Sequence, residues 1–198
     1  MTKSIKYIFT FLLLIGLVVL FANFKMEQPK ATNTTYCPST ADTVLYRMIM
    51  KYRGSLGLDT ISLSNSLCYV SFSHTLDLQM FNPNKPPCNL HSWSNNGIWT
   101  SCCYTPDHRK ASCMWDKPRE MTSYKGDGFE IATFYSAGMT PQIALAAWQK
   151  STRHNEVIVN KGIWKAMKWR AIGVSIYDNY AVVWFGTERD PDNSPRCK

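Results

Sequence analysis

The residues able to do acid–base or metal chemistry are few. There are four histidines (His74, His91, His108 and His154), and three carboxylates stand out near apolar or aromatic neighbours: Glu130 in GDGFEIA, Glu156 and Glu120. Neutral imidazoles ligate Zn2+, while oxygen ligands and water suit Mg2+, so His91, His154 and Glu130 make a candidate donor set for a divalent cation. They lie far apart in sequence, and only the fold could unite them. His74 sits on an apolar helical stripe and reads as a structural histidine. His108, in the polar segment TPDHRK, reads as a solvated one. The sequence contains no Gly-rich phosphate loop, no G-x-S-x-G elbow and no H-E-x-x-H motif. A cysteine nucleophile is unattractive, because the cysteines are expected to be oxidised or buried.

That expectation follows from the amino terminus. Tyr7 to Phe24 is a run of eighteen residues without a charge, preceded by Lys3 and Lys6. As a helix it would reach about 27 Å, close to the hydrocarbon thickness of a bilayer. The preceding lysines keep the amino terminus cytoplasmic and send the remainder across. The exit Leu20-Phe21-Ala22 is poor because Leu20 is large, so residues 1–24 read equally as a cleaved signal peptide or an uncleaved signal-anchor. Residues 25–40 form a polar tether, and residues 41–198 form the exported domain.

Export puts seven cysteines in an oxidising compartment. Cys88, Cys102, Cys103 and Cys113 are expected to make two bridges, with adjacent Cys102 and Cys103 each pairing outward. Cys37 and Cys197 stand at the two ends of the body, where a bridge would clasp the termini. Cys68 lies in a helical pattern and reads as a free buried thiol. Zn2+ on Cys88, His91 and Cys102 or Cys103 is the lesser alternative to disulfides.

The chain has 198 residues, 45% of them hydrophobic, with 22 Lys+Arg against 14 Asp+Glu and a net charge of +8. That suits one cored domain plus a targeting segment and excludes a disordered chain. Lys3, Lys6, Lys25 and Lys30 belong to the leader and tether, and the other positives are scattered. No basic stripe marks a nucleic-acid partner, and none is expected.

Thr40 and Asp42 can cap a helix running to about Arg53, and Ser62 or Ser64 a second one to about Met80. Leu90 to Gly128 lacks periodicity and holds the cysteine cluster. Pro141 starts a third helix, PQIALAAWQK, at a favoured first-turn position. Val157–Val159 reads as a short strand. Ala171–Tyr177 and Tyr180–Gly186 alternate around Asp178-Asn179, the pattern of a hairpin. The order implies an α+β domain with helices covering an antiparallel sheet. The tryptophans Trp93, Trp99, Trp115, Trp164 and Trp169 read as core or loop packing that could also line an apolar groove.

The segments LYRMIMKYRGSLGL, LSNSLCYVSFSHTLDLQM, CNLHSWS, GFEIA, AAWQKSTRH and AIGVSIY with YAVVWFG, in that order, resemble the CAP superfamily. This group comprises cysteine-rich secretory, antigen 5 and pathogenesis-related 1 proteins, and the likeness is to its microbial SCP-like branch. The resemblance spans roughly residues 41–186. It implies a three-layer α-β-α sandwich with an antiparallel central sheet and a cleft carrying two histidines and two acids. His91 matches the first histidine, Glu130 the glutamate and His154 the second histidine, with His91 and His154 as the metal ligands. The second acid falls on Ser151, so the tetrad lacks one carboxylate. The resemblance thus implies an exported, membrane-anchored or secreted binding module with a lipid or peptide ligand. The alternative is a metal-assisted hydrolase, a peptidase, using His91, Glu130 and His154.

Overall fold

The computed structural model describes residues 36–195. The leader at 1–24, most of the tether at 25–40 and Cys197 lie outside the described residues. Helix α1 spans Thr40–Ser55, and its cap lies one residue before Thr40, the first of the two caps read from the sequence. Its N-cap is Ser39, whose hydroxyl accepts from the Asp42 amide at 3.1 Å, while the Asp42 carboxylate accepts from the Ser39 amide at 2.7 Å. This reciprocal box satisfies two amides that the first turn would leave unpaired. Asp42 also accepts from the Ile176 amide, pinning α1 to the sheet.

Helix α2, Asn65–Phe81, is capped by Ser64 and stopped by Asn82 in the left-handed region at φ 49. Two short helices follow in the aperiodic region, α3 at Ala111–Trp115 and α4 at Lys117–Met121. Then come β2 at Gly128–Phe134, α5 at Pro141–Lys150, α6 at Thr152–Ile158, β3 at Ala171–Tyr177 and β4 at Tyr180–Gly186. A two-residue strand, β1 at Ser62–Leu63, precedes α2. The sheet order is β1-β3-β4-β2. The three long strands pair antiparallel, whereas β1 pairs parallel with β3, so the sheet is antiparallel except at this edge.

Strand alternation divides the core in two. Val183 and Phe185 of β4, with Ile172 and Val174 of β3, face α1, α5 and α6 through Leu45, Ile49, Trp148 and Ile158. The intervening Val182 and Trp184 face α2 and the cysteine-rich region through Leu67, Val70, Trp93 and Met121. Helices therefore cover both faces, and the domain is the α-β-α sandwich implied by the resemblance. The helix α2 backbone runs so close to β3 that a Cβ on Gly173 would stand 2.1 Å from the Leu67 carbonyl carbon.

The expected strand at Val157–Val159 is instead the last turn of α6 and its C-cap. These three residues are 5%, 0% and 4% exposed. A run buried on every side mimics a strand, and helix or strand cannot be told from such a short apolar run. The cysteine pattern is as expected: Cys88 bonds Cys103 and Cys102 bonds Cys113. Cys68 is free and buried. Cys37 is disulfide-bonded. With Cys88, Cys102 and Cys103 consumed in bridges, the thiolate Zn2+ alternative is overturned.

Candidate functional site

The sheet edge β2 presents Glu130 on the face covered by α2. Its neighbours Phe129 and Ile131 point to the opposite core, as the two-residue strand period requires. Glu130 is 7% exposed as a residue, and its side chain is fully enclosed. Two histidines meet it there. His91, in the loop held by the Cys88–Cys103 bridge, places Nδ1 2.9 Å from Glu130 Oε1. His74, from the middle of α2, places Nδ1 2.8 Å from Oε2. That second contact has ion-pair distance but approaches off the hydrogen-bonding direction, so neither atom makes a well-aligned bond.

His74 is completely buried, its ring stacked on Trp93 with centroids 4.2 Å apart, and its Nε2 lies 3.0 Å from the Ser92 carbonyl oxygen. Both of its ring nitrogens thus lie close to oxygen atoms, Nδ1 to Glu130 Oε2 and Nε2 to the Ser92 carbonyl. Burial alone would push the Glu130 carboxyl up, but His74 and His91 outweigh it and hold the group below the usual carboxylate range. Glu130 is therefore an enclosed carboxylate with each oxygen committed to a histidine.

His154, on α6, is half-buried and lies within electrostatic reach of the cluster. Burial lowers its pKa below the ordinary value, repulsion from His91 adds to that, and the Glu130 charge opposes it. Ser151 ends α5 and serves as N-cap of α6, with no side-chain bond to that helix. Glu156 packs against the Gly162 turn and Glu120 binds Lys117 and the Thr100 amide, so neither carboxylate touches Glu130 or its two histidines.

The partnership of His74 with Glu130 goes beyond the structural role that periodicity assigns to this histidine. One signal points to it: a histidine on an apolar helical stripe and a glutamate in an apolar strand each need a buried polar partner, and each can satisfy the other. His108, at φ 58, is exposed but does not stand alone, since its Nδ1 lies 2.8 Å from the Tyr104 hydroxyl.

For a metal, the donor set is limited. Both Glu130 oxygens are enclosed and face histidines, and among the described residues no three His, Cys, Asp or Glu side chains form a metal-holding group. What can ligate is Nε2 of His91, whose Nδ1 is oriented by Glu130, together with His154. A carboxylate behind a histidine is the usual outer shell of an imidazole ligand. Two imidazoles are too few donors for a closed structural zinc site.

The two disulfides fit an oxidising, extracytoplasmic compartment. Among the described residues no helix is long and apolar enough to cross a membrane. No family model matches the chain, and no curated protein matches it in sequence. Among solved structures, an outer surface protein from Borrelia burgdorferi is 15% identical, with a TM-score of 0.53 over 80% of this chain and 100% of its own. An extracellular protein containing a SCP domain from Bacillus anthracis str. Ames is 14% identical, with a TM-score of 0.51 over 75% of this chain and 40% of its own. The present chain thus spans less than half of that protein's length. At such identities the likeness is one of fold, and the fold of this chain is that of the CAP, or SCP, domain.

Proposed function

We propose that the chain is an exported CAP-domain binding protein, secreted or held at a membrane by its leader, whose cleft of His91, Glu130 and His154 takes a divalent cation. The observation that carries this reading is the commitment of both Glu130 oxygens to histidines. A hydrolase with Glu130 as its general base would need that carboxylate to face water. Glu130 is enclosed and engaged, and the position where relatives have a second acid is Ser151. What Glu130 does supply is orientation: it fixes His91 with Nε2 as the outward ligand. Burial favours the neutral, ligating form of His154. A lipid or peptide would take the apolar surface around β2, where Trp115 and Trp164 pack on Phe129 at centroid distances of 5.9 and 5.3 Å and all three remain partly exposed.

The test is calorimetry of the full chain in neutral detergent with Zn2+ and with Mg2+, beside His91→Ala and His154→Ala. Saturable binding of one ion, lost in both variants, is expected; no binding, or binding unchanged by both substitutions, overturns the cation reading. Casein and peptide-pool assays with and without metal decide the peptidase alternative. Turnover abolished by His154→Ala would replace the binding reading with the hydrolase. Solvent extraction and mass spectrometry of the purified protein test for a bound lipid.

A further inference from the structure

Away from the histidines, a groove of about 510 Å3 opens where the end of α1, the turn after α6 and the entry to β3 meet. It shares no lining residue with the His–Glu cluster. Its walls carry five cationic side chains, Arg53, Lys165, Lys168, Arg170 and Arg189, against a single acid, Asp59. Leu58, Met167 and Trp169 give it apolar wall area. A smaller hollow of about 190 Å3 shares Ser62, Arg170 and Arg189 with it. The acid of that hollow, Asp190, is already saturated by the Ser64 and Ser66 hydroxyls and by the Ser66 and Asp192 amides.

The most informative member is Arg53, only 4% exposed. Its Nε and Nη2 donate to the Asp59 carbonyl at 3.1 Å, and its Nη1 donates to the Ile158 carbonyl at 2.5 Å and to Asn160 Oδ1 at 2.8 Å. All of these acceptors are neutral. The Asp59 carboxylate attracts the guanidinium but forms no ion pair with it. Buried charges are ordinarily paired, because an uncompensated one carries its full desolvation penalty. The other four cations are exposed, and none makes an ion pair among the described residues. Like charges gathered around partly apolar walls focus a positive potential into the groove.

We propose that this groove binds a phosphate-bearing anion, either free in solution or as the headgroup of an anionic phospholipid. Guanidinium forks and ammonium groups are the side chains that recognise phosphate, and the volume is that of an ordinary small-ligand pocket. The proposal stands whether or not the histidine cleft holds a cation.

The experiment uses the full chain. Calorimetry with pyrophosphate reads the soluble source. Flotation with phosphatidylglycerol vesicles, corrected for flotation with phosphatidylcholine vesicles, reads the headgroup source, because any leader contribution is common to both. The groove variant is Lys165→Glu with Lys168→Glu and Arg170→Glu, all exposed positions whose reversal leaves the core intact. The control is Lys51→Glu with Lys150→Glu, two exposed lysines outside the groove. Saturable binding to either probe, weakened about a hundredfold in the groove variant and nearly unchanged in the control, is expected. Absence of binding to both probes overturns the proposal, as does equal weakening in the control. Binding confined to single-stranded oligonucleotide also overturns it, since that would mark a polymer track and not a phosphate pocket.

Discussion

Replacing Glu130 by Gln removes one charge from an enclosed site while keeping its shape. In the native protein the carboxylate faces His91 Nδ1 at 2.9 Å and His74 Nδ1 at 2.8 Å. The Gln amide can offer its oxygen to only one of them. Its NH2 must then confront the other imidazole, and the buried His74 faces a neutral amide in place of the carboxylate. Breaking a buried pair from one side costs about 3–5 kcal/mol. The off-axis His74 contact argues for the lower end, about 3 kcal/mol. In a domain of this size that lowers Tm by roughly 6–12 °C.

The loss should depend on pH. The folded carboxyl titrates below its ordinary 4.5, so its contribution is complete above that value and disappears as pH falls through the lower folded value. Denaturant unfolding of wild type and Glu130→Gln at pH 7 and at a series of acid values is the assay. A difference under about 1 kcal/mol at pH 7, or one that persists undiminished into strong acid, would refute the picture of an ionised carboxylate bridging two histidines.

Other consequences are equally specific. The pKa of His154 is lowered in the fold, so the fold favours its neutral form. That contribution is whole above 6.5 and is lost as pH falls from 6.5 toward the folded value, and His154→Gln should remove that part of the stability slope. Burial first, then the charges of Asp42 and Asp190, push the Cys68 thiol up to about 12. Native protein at pH 8 should therefore leave Cys68 unlabelled by iodoacetamide until denaturant is added; rapid native labelling would contradict its burial. Gly173→Ala places a Cβ 2.1 Å from the Leu67 carbonyl carbon, where only a backbone shift can relieve it. It should cost about 3 kcal/mol or more or abolish soluble expression, and a variant within about 1 kcal/mol of wild type would show that α2 does not press on β3 as described.

What can be read in advance, and what cannot, follows from the range of the interactions. The Ala171–Gly186 hairpin is local: alternating apolar residues and an Asp178 able to take φ 48 are all contained in the segment. The same holds for Pro141 at the head of α5 and for the outward pairing of adjacent Cys102 and Cys103. Strand β2 escapes a reading by pattern because Glu130 interrupts its apolar run, and the partners that make the glutamate tolerable come from distant segments. Helix α6 is hidden for the opposite reason, since Val157, Ile158 and Val159 are all buried and show no face. His74 lies on an apolar stripe because the stripe itself packs against the site, which periodicity cannot distinguish from ordinary core. His91 and Glu130 stand out through the family resemblance and not through spacing, and the contact between them is a product of the tertiary fold alone.

On the proposed reading, Glu130 orients His91 so that His91 and His154 together present a cation-binding cleft. Nitrogen-15 spectra of the histidine rings during a Zn2+ titration examine that directly. Coupled shifts of His91 Nε2 and His154 with one equivalent of ion, while the His91 Nδ1 proton stays bonded to Glu130, are the predicted result. Shifts of only one ring, or of neither at saturating Zn2+, would contradict it.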